Sequence, residues 1–249
     1  MDKELYEMDL DGKIDKSLKV LEEAKEKFNN IGVGFTGGKD SLTTLDLVSE
    51  VIDDFKIIFV DTGQHFDEVY DFVEKTEERY DAPIIHAKNT EVLEKANGTT
   101  VKKQNLGQKN QEELEKIEWD EFEVAEDREP CCHLLKTVAF QETLSEIGID
   151  GHINGIRWDE QESRRDEEYF SSREDHTRVH PILHWSEDDV WSYIKTEGLK
   201  YNPLYDKGYR SIGCKPCTNK VSEDADHERA GRAQDKEKVM ERLRSLGYM

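Results

Sequence analysis

A short apolar run, Ile31 to Thr36, ends at Gly37-Gly38 and passes at once through Lys39-Asp40-Ser41 into Leu42 to Ile52, where apolar residues recur with helical spacing. Strand, glycine turn and helix in that order leave few folds open. Two glycines let the backbone turn tightly and come close to a ligand, so that amides at the start of the helix face phosphate oxygens. Thr36, Gly37, Gly38, Lys39, Asp40 and Ser41 are therefore the first candidate site. Lys39 is expected to add a mobile, exposed positive charge, and Asp40 and Ser41 to orient the helix start or a magnesium ion. The spacing is not that of the longer Gly-x-x-x-x-Gly-Lys-Ser/Thr loop. An ordinary glycine turn is the plain alternative, and the complete set in its strand–turn–helix context weighs against it.

The alternation continues along the chain. Lys56 to Asp61, Pro83 to His86 and Gly151 to Ile156 read as strands; Asp67 to Tyr80, Lys136 to Ile147 and Ser186 to Glu197 read as helices, the last with a serine N-cap and an acidic first turn. Strands alternating with helices predict an α/β fold, a mostly parallel sheet covered by helices on both faces. With 249 residues and 35% hydrophobic composition, one large domain of this class can bury its core. The expected organisation is a helical element over residues 1–30, a nucleotide-binding domain over 31–218 that carries the chemistry, and a tail over 219–249 with a helix at Lys236 to Leu246. Glu91 to Asp127, charged and poor in β-branched residues, is expected to be a helical or mobile insertion over the active site.

Fifty-seven acidic against 35 basic residues give a formal charge of −22. Such a surface repels nucleic acid and anionic membrane and favours small-molecule substrates. No apolar run is long enough to cross a bilayer, and the charged N-terminus lacks a signal peptide's apolar core, so a cytoplasmic location is expected. Four cysteines in a reducing compartment point to metal binding or catalysis before disulfides.

Those cysteines are Cys131 and Cys132, adjacent, then Cys214 and Cys217, with 81 residues between the pairs. Four thiolates suit zinc or an iron–sulfur cluster, and Pro130 is placed to open a helix whose dipole favours thiolate. Tetrahedral zinc usually draws on two spaced Cys-x-x-Cys knuckles. The adjacent pair followed much later by Cys-x-x-Cys resembles instead the four-iron ligation of adenylyl-sulfate reductases.

The loop resembles the Ser/Thr-Gly-Gly-x-Asp-Ser loop of the ATP pyrophosphatases. Gly155-Ile156-Arg157-Trp158-Asp159-Glu160-Gln161, His180 to Trp185, Asn202-Pro203-Leu204-Tyr205 and Tyr209 to Cys214 resemble segments of the phosphoadenosine-phosphosulfate reductase superfamily within it. The resemblance implies ATP or adenylyl sulfate as substrate and a 4Fe-4S cluster, with zinc as the alternative. Two branches compete. The reductases attack sulfur with a tail cysteine in a Glu-Cys-Gly-Leu-His-like segment, which this sequence lacks. Glu228 to Arg232, Asp159 to Arg164 and Ser171-Ser172-Arg173 are similar to the small subunit of sulfate adenylyltransferase. The favoured expectation is thus ATP-dependent adenylyl transfer to sulfate with pyrophosphate release, with a GTPase partner subunit implied. Its alternatives are sulfonucleotide reduction with an external, thioredoxin-like thiol and, further off, a cluster-dependent tRNA sulfurtransferase. Homo-oligomerisation stays open.

Lys39, Asp40, Arg157 and Arg164 are the expected catalytic residues, and Asp61, Arg157 and Arg173 join the loop in nucleotide binding. Guanidinium forks suit phosphate and sulfate; salt bridges to nearby carboxylates are the plain reading for one or two of the arginines. Asp61 at a strand's carboxyl end suits ribose or metal, or a turn cap. His65, His180 and His184 are possible acid–base groups, though a structural role is the commoner one, and Trp158, Trp185 and Trp191 are read as core.

Overall fold

The computed structural model describes residues 1–96, 100–161, 164–222, 225 and 227–233. The helix expected at Lys236 to Leu246 lies outside the described residues, as do Glu162 and Ser163 of the Asp159–Arg164 segment. The chain divides into two compact units, each assembled from three stretches.

The first unit comprises Met1–Phe59, Glu68–Ile85 and Gly148–Lys207. Its framework is the six-stranded sheet of β1 (Ile31–Gly34), β2 (Lys56–Val60), β3 (Ile84–Ala87), β6 (Gly151–Ile153), β7 (Phe170–Ser172) and β8 (Thr177–Val179), in the order β3-β2-β1-β6-β8-β7. β1 pairs in parallel with β2 and β6, β6 in parallel with β8, and only β7 runs antiparallel, against β8. The sheet is mostly parallel and flanked by helices, as the alternating pattern predicts. Strand order reverses at β1, whose carboxyl end is where open parallel sheets bind ligands. Helices α1 (Lys3–Tyr6), α2 (Leu10–Lys27), α3 (Lys39–Val51), α4 (Asp67–Tyr80) and α9 (Glu187–Thr196) complete the unit, and α3 packs against α2 and α9. Asp9 caps α2 by accepting the Gly12 amide at 2.9 Å, and Ser186 and Asp189 form a reciprocal capping box on α9.

β7 and β8 have no counterpart among the strands read from sequence. The second unit also departs from expectation. It comprises Val60–Asp67, His86–Ile147 and Gly208–Met249. The stretch expected to be helical or mobile holds α5 (Thr90–Lys95), α6 (Gln108–Lys116) and an antiparallel pair, β4 (Thr100–Lys102) with β5 (Glu121–Glu123). Each strand carries one apolar residue between polar neighbours, Val101 and Phe122, which pair directly and enter a core with Val92, Leu114, Leu134 and Leu135. Three-residue strands are too short for alternation to show in sequence. After α7 (Arg128–Cys132) the backbone takes one π-helical stretch, His133–Val138, before α8 (Ala139–Ile147). Pro130 lies inside α7, so the helix opens two residues before the proline expected to start it.

Burial holds three histidines of the first unit neutral. His152 stands well below its ordinary value through burial and the neighbouring Arg178. His180 is lowered to about 3, again by burial first and Arg178 second. His184, whose Nε2 meets the Lys13 carbonyl at 3.1 Å, is lowered to about 4 by burial. Above pH 6.5 these rings are neutral folded or unfolded; below it the unfolded chain binds protons that the folded chain refuses. Stability should therefore hold above pH 6.5 and fall between pH 6.5 and 4, by up to about 1.4 kcal/mol per pH unit for each histidine. Thermal unfolding at pH 7.5 and pH 5 checks this; an unchanged Tm would contradict it.

Candidate active site and cysteine cavity

The loop after β1 sits in the first unit. Phe35 extends the strand by donating its amide to Ile58 O at 2.9 Å, and Gly37 then turns the chain at φ 72°, a left-handed conformation that favours glycine. Ser41 ties the turn together. Its Oγ donates to Gly38 O at 3.0 Å, accepts from the Thr36 amide at 3.2 Å, and lies 3.2 Å from Thr36 Oγ1.

Lys39 is not the exposed, mobile cation expected from sequence. Its side chain is fully buried, with Nζ 3.1 Å from Asp40 and 3.8 Å from Glu187. Arg157 is equally buried, paired with Asp40 on one side and with Asp159 at 3.0 Å on the other. Asp159 also accepts the Glu187 amide at 3.2 Å. Two cations and three carboxylates thus form one connected group around the start of α3. The backbone supports it: a Cβ on Gly155 would lie 2.7 Å from Asp40 O, so only glycine lets this segment approach the loop so closely. Sequence reading missed Glu187, because its position beside Lys39 depends on α9 packing against α3.

The other expected residues are dispersed. Arg164 pairs with Glu160, and Arg173, exposed on the turn after β7, donates to Ser171 Oγ at 2.7 Å and to the Ser172 carbonyl. His180 and His184 are too deeply buried and too weakly basic for acid–base work near neutral pH. Trp158 and Trp185 are core residues; Trp191 is only partly buried, in a cluster with Tyr201 and Tyr205.

The second unit holds Asp61 and all four cysteines. Asp61 caps the turn after β2 by accepting the Gly63 amide at 2.9 Å and pairs with Lys88 at 3.0 Å. His65 bonds the Val60 carbonyl at 3.0 Å and is lowered to about 4 by burial and then by Lys136. Cys131, Cys132, Cys214 and Cys217 line one cavity with Thr62, Gln64, Arg128 and Lys136, and none of the four is in a disulfide. Thr62 Oγ1 lies 3.3 Å from Cys214 Sγ. Arg232, read in sequence only as part of a tail motif, is buried here. Its Nη1 donates to Thr218 Oγ1 at 3.3 Å, Thr218 Oγ1 donates to Cys214 O at 2.9 Å, and a Cβ on Gly213 would lie 2.1 Å from that guanidinium.

The donor set suits a thiophilic metal centre. Burial, and next the adjacent Cys132, push the Cys131 thiol up to about 12, so deprotonation there needs a strong cation to replace the proton. Among the described residues, no three ligand side chains stand close enough to grip a single ion. Tetrahedral zinc at about 2.3 Å from each sulfur draws sulfurs to roughly 3.8 Å of one another. A cluster receives each thiolate on a separate iron and accepts a wider set.

One unit has a parallel sheet whose first strand feeds a glycine turn and helix, and the other gathers four cysteines in one cavity. Residues 30–220 match the phosphoadenosine phosphosulfate reductase domain family, and the chain belongs to it. It is 35% identical over 183 residues to the adenosine 5'-phosphosulfate reductase of Bacillus pumilus, covering 73% of this chain and 70% of that protein. With the protein of the same name from Staphylococcus epidermidis it shares 31% over 231 residues, covering 92% and 86%. The fold is similar to phosphoadenylyl-sulfate reductase from Candida auris, with TM-score 0.58, 21% identity and coverage of 89% of this chain and 98% of that one. It is also similar to Candida glabrata FMN adenylyltransferase, with TM-score 0.61, 16% identity and coverage of 89% and 75%.

These relatives correct the favoured expectation of adenylyl transfer to sulfate. That reading leaned on the missing tail cysteine and on the likeness of Asp159 to Arg164, Ser171 to Arg173 and the tail motif to the adenylyltransferase subunit. In the structure Arg157, Asp159 and Arg164 are engaged in internal ion pairs, and Arg232 is held to Thr218 beside the cysteine loop.

Proposed function

We propose that the chain reduces adenylyl sulfate to sulfite, with electrons from an external thiol of the thioredoxin class. The observation that carries this is the gathering of all four cysteines in one cavity, the arrangement that separates the two branches weighed from sequence. The names of the relatives favour adenylyl sulfate over its 3'-phosphorylated form. A four-iron cluster held by Cys131, Cys132, Cys214 and Cys217 would place a compact anionic centre beside Lys136 and Arg128. The loop from Thr36 to Ser41 would hold the phosphate and sulfate end of the nucleotide, and a reducing cytoplasm would supply the thiol.

The chemistry balances without a cysteine from this sequence. A thiolate attacks the sulfate sulfur, the sulfur–oxygen bond to the phosphate breaks, and AMP leaves. A second thiolate then attacks the resulting thiosulfonate, giving a disulfide and sulfite. Two thiols are oxidised and one sulfate is reduced by two electrons. Supplied anaerobically with adenylyl sulfate and a reduced dithiol protein, the enzyme should release sulfite and AMP in equal amounts, with little turnover of the 3'-phosphorylated substrate. AMP without sulfite would overturn the reading.

A further inference from the structure

We propose that Thr218 and Arg232 are positioning residues of the metal site, acting through the backbone of the turn that carries Cys214 and Cys217. This rests on the reading of the four cysteines as one metal site, and it gives the tail a part in that site.

Lys215–Cys217 forms a single 3-10 turn, too short to hold its shape unaided. Its geometry comes from its partners. The Cys214 carbonyl accepts the Cys217 amide at 2.9 Å and the Thr218 hydroxyl at 2.9 Å. Two donors account for both lone pairs of a carbonyl oxygen, so the peptide plane that follows Cys214 is held in one orientation. Thr218 gives its one hydroxyl proton to that carbonyl, and its oxygen accepts from Arg232 Nη1 at 3.3 Å. A cationic donor behind the hydroxyl polarises it and strengthens the bond it makes in turn. Thr218 and Arg232 are both buried, so water competes little for this chain of bonds.

The backbone of the tail reinforces the same turn. Thr218 and Arg232 stand opposite each other in an antiparallel bridge, with the Asn219 amide donating to Gly231 O at 2.8 Å and the Ala233 amide to Cys217 O at 3.2 Å. Two glycines permit the approach. A Cβ on Gly231 would overlap the Asn219 carbonyl oxygen, and one on Gly213 would overlap the Arg232 guanidinium. At the start of the turn the Lys215 amide donates to Gln64 O at 2.7 Å, and Gln64 lines the cysteine cavity. The carbonyls of both Cys214 and Cys217 are thus tied, directly or through Thr218, to residues 231–233. Partners behind the ligands of a metal site set how firmly those ligands hold, so loosening this turn loosens the metal.

The test is metal release to a strong chelator under native conditions, from wild type, Thr218→Val, Thr218→Ser and Arg232→Met purified without oxygen. Loss of visible absorbance follows iron, and the colour of a metal-sensitive chelator follows zinc. Thr218→Val keeps the volume and removes the hydroxyl, whereas Thr218→Ser keeps the hydroxyl. Thr218→Val and Arg232→Met should release metal roughly tenfold faster than wild type. Thr218→Ser should stay within about twofold, since the relay survives. If Arg232→Met does not fold, the two Thr218 variants decide. Wild-type release from Thr218→Val would overturn the proposal and leave the metal-site reading standing, even if thermal unfolding of the metal-free protein showed that the substitution weakens the fold. Equal release from Thr218→Ser and Thr218→Val would show that the hydroxyl is not what holds the turn, which also overturns it. Wild type that binds no metal would sink the metal-site reading itself, and the proposal with it.

Discussion

Replacing Lys39 with alanine should lower turnover of adenylyl sulfate on the order of a hundredfold and also destabilise the protein. The first effect follows from the loop: an ammonium at the phosphate end stabilises charge that no neighbouring group can replace equally well. The second follows from burial. Lys39 lies 3.1 Å from Asp40 and 3.8 Å from Glu187, with its own side chain fully covered. Removing it takes away the cation that Asp40 and Glu187 share. Breaking a buried pair from one side costs about 3–5 kcal/mol, and the partial exposure of both carboxylates brings the expected loss to about 2 kcal/mol. Denaturant unfolding and steady-state kinetics separate the two effects. Wild-type stability would show that the ion pairs contribute nothing; wild-type affinity for the nucleotide would show that the loop does not bind it.

Replacing Cys214 with serine should strip the cysteine cavity of its metal. Anaerobically purified wild type is expected to be brown, with about four irons per chain, and Cys214→Ser colourless and depleted of iron. Because metal binding to such a site is part of the folding free energy, the variant should also unfold several degrees earlier. Cys214 is the informative choice. Its sulfur is 3.3 Å from Thr62, and its carbonyl is held through Thr218 to Arg232, so the backbone keeps its place when the sulfur is lost. Stoichiometric zinc in the wild type, with no visible absorption, would contradict the cluster assignment.

The parallel architecture was legible because its signals are local. A short apolar run, two glycines and a helical period stand within about twenty residues of each other, and α4 falls on the residues its periodicity indicates, Asp67–Tyr80. The cysteine set was legible for the same reason, each pair being compact in sequence. What escaped notice depends on distant partners. Nothing local to Lys39 announces Glu187, and Phe170-Ser171-Ser172 and Thr177-Arg178-Val179 are too short and too polar to announce two strands. Arg157 was read as a ligand for phosphate because an arginine in an acidic chain suits that role. Its pairing with Asp40 and Asp159 at the start of α3 became visible only once the glycine at 155 brought the two segments together. The choice between transfer and reduction went astray because the missing tail cysteine was weighed above the cysteine pairs, which the relatives' names favour.

Where the label of ³⁵S-adenylyl sulfate goes in a single turnover tests the central claim most directly. The protein, purified without oxygen, is mixed with the labelled nucleotide in slight deficit, first alone and then with a reduced dithiol protein, and the products are separated from the chain under denaturing conditions. The expected result is label retained in adenylyl sulfate until the thiol is added, then label recovered as sulfite with none left on this chain. Label on this chain in a thiol-releasable form would show that one of the four cysteines attacks the substrate, and label left in the nucleotide after the thiol is added would show that the chain is not a sulfonucleotide reductase.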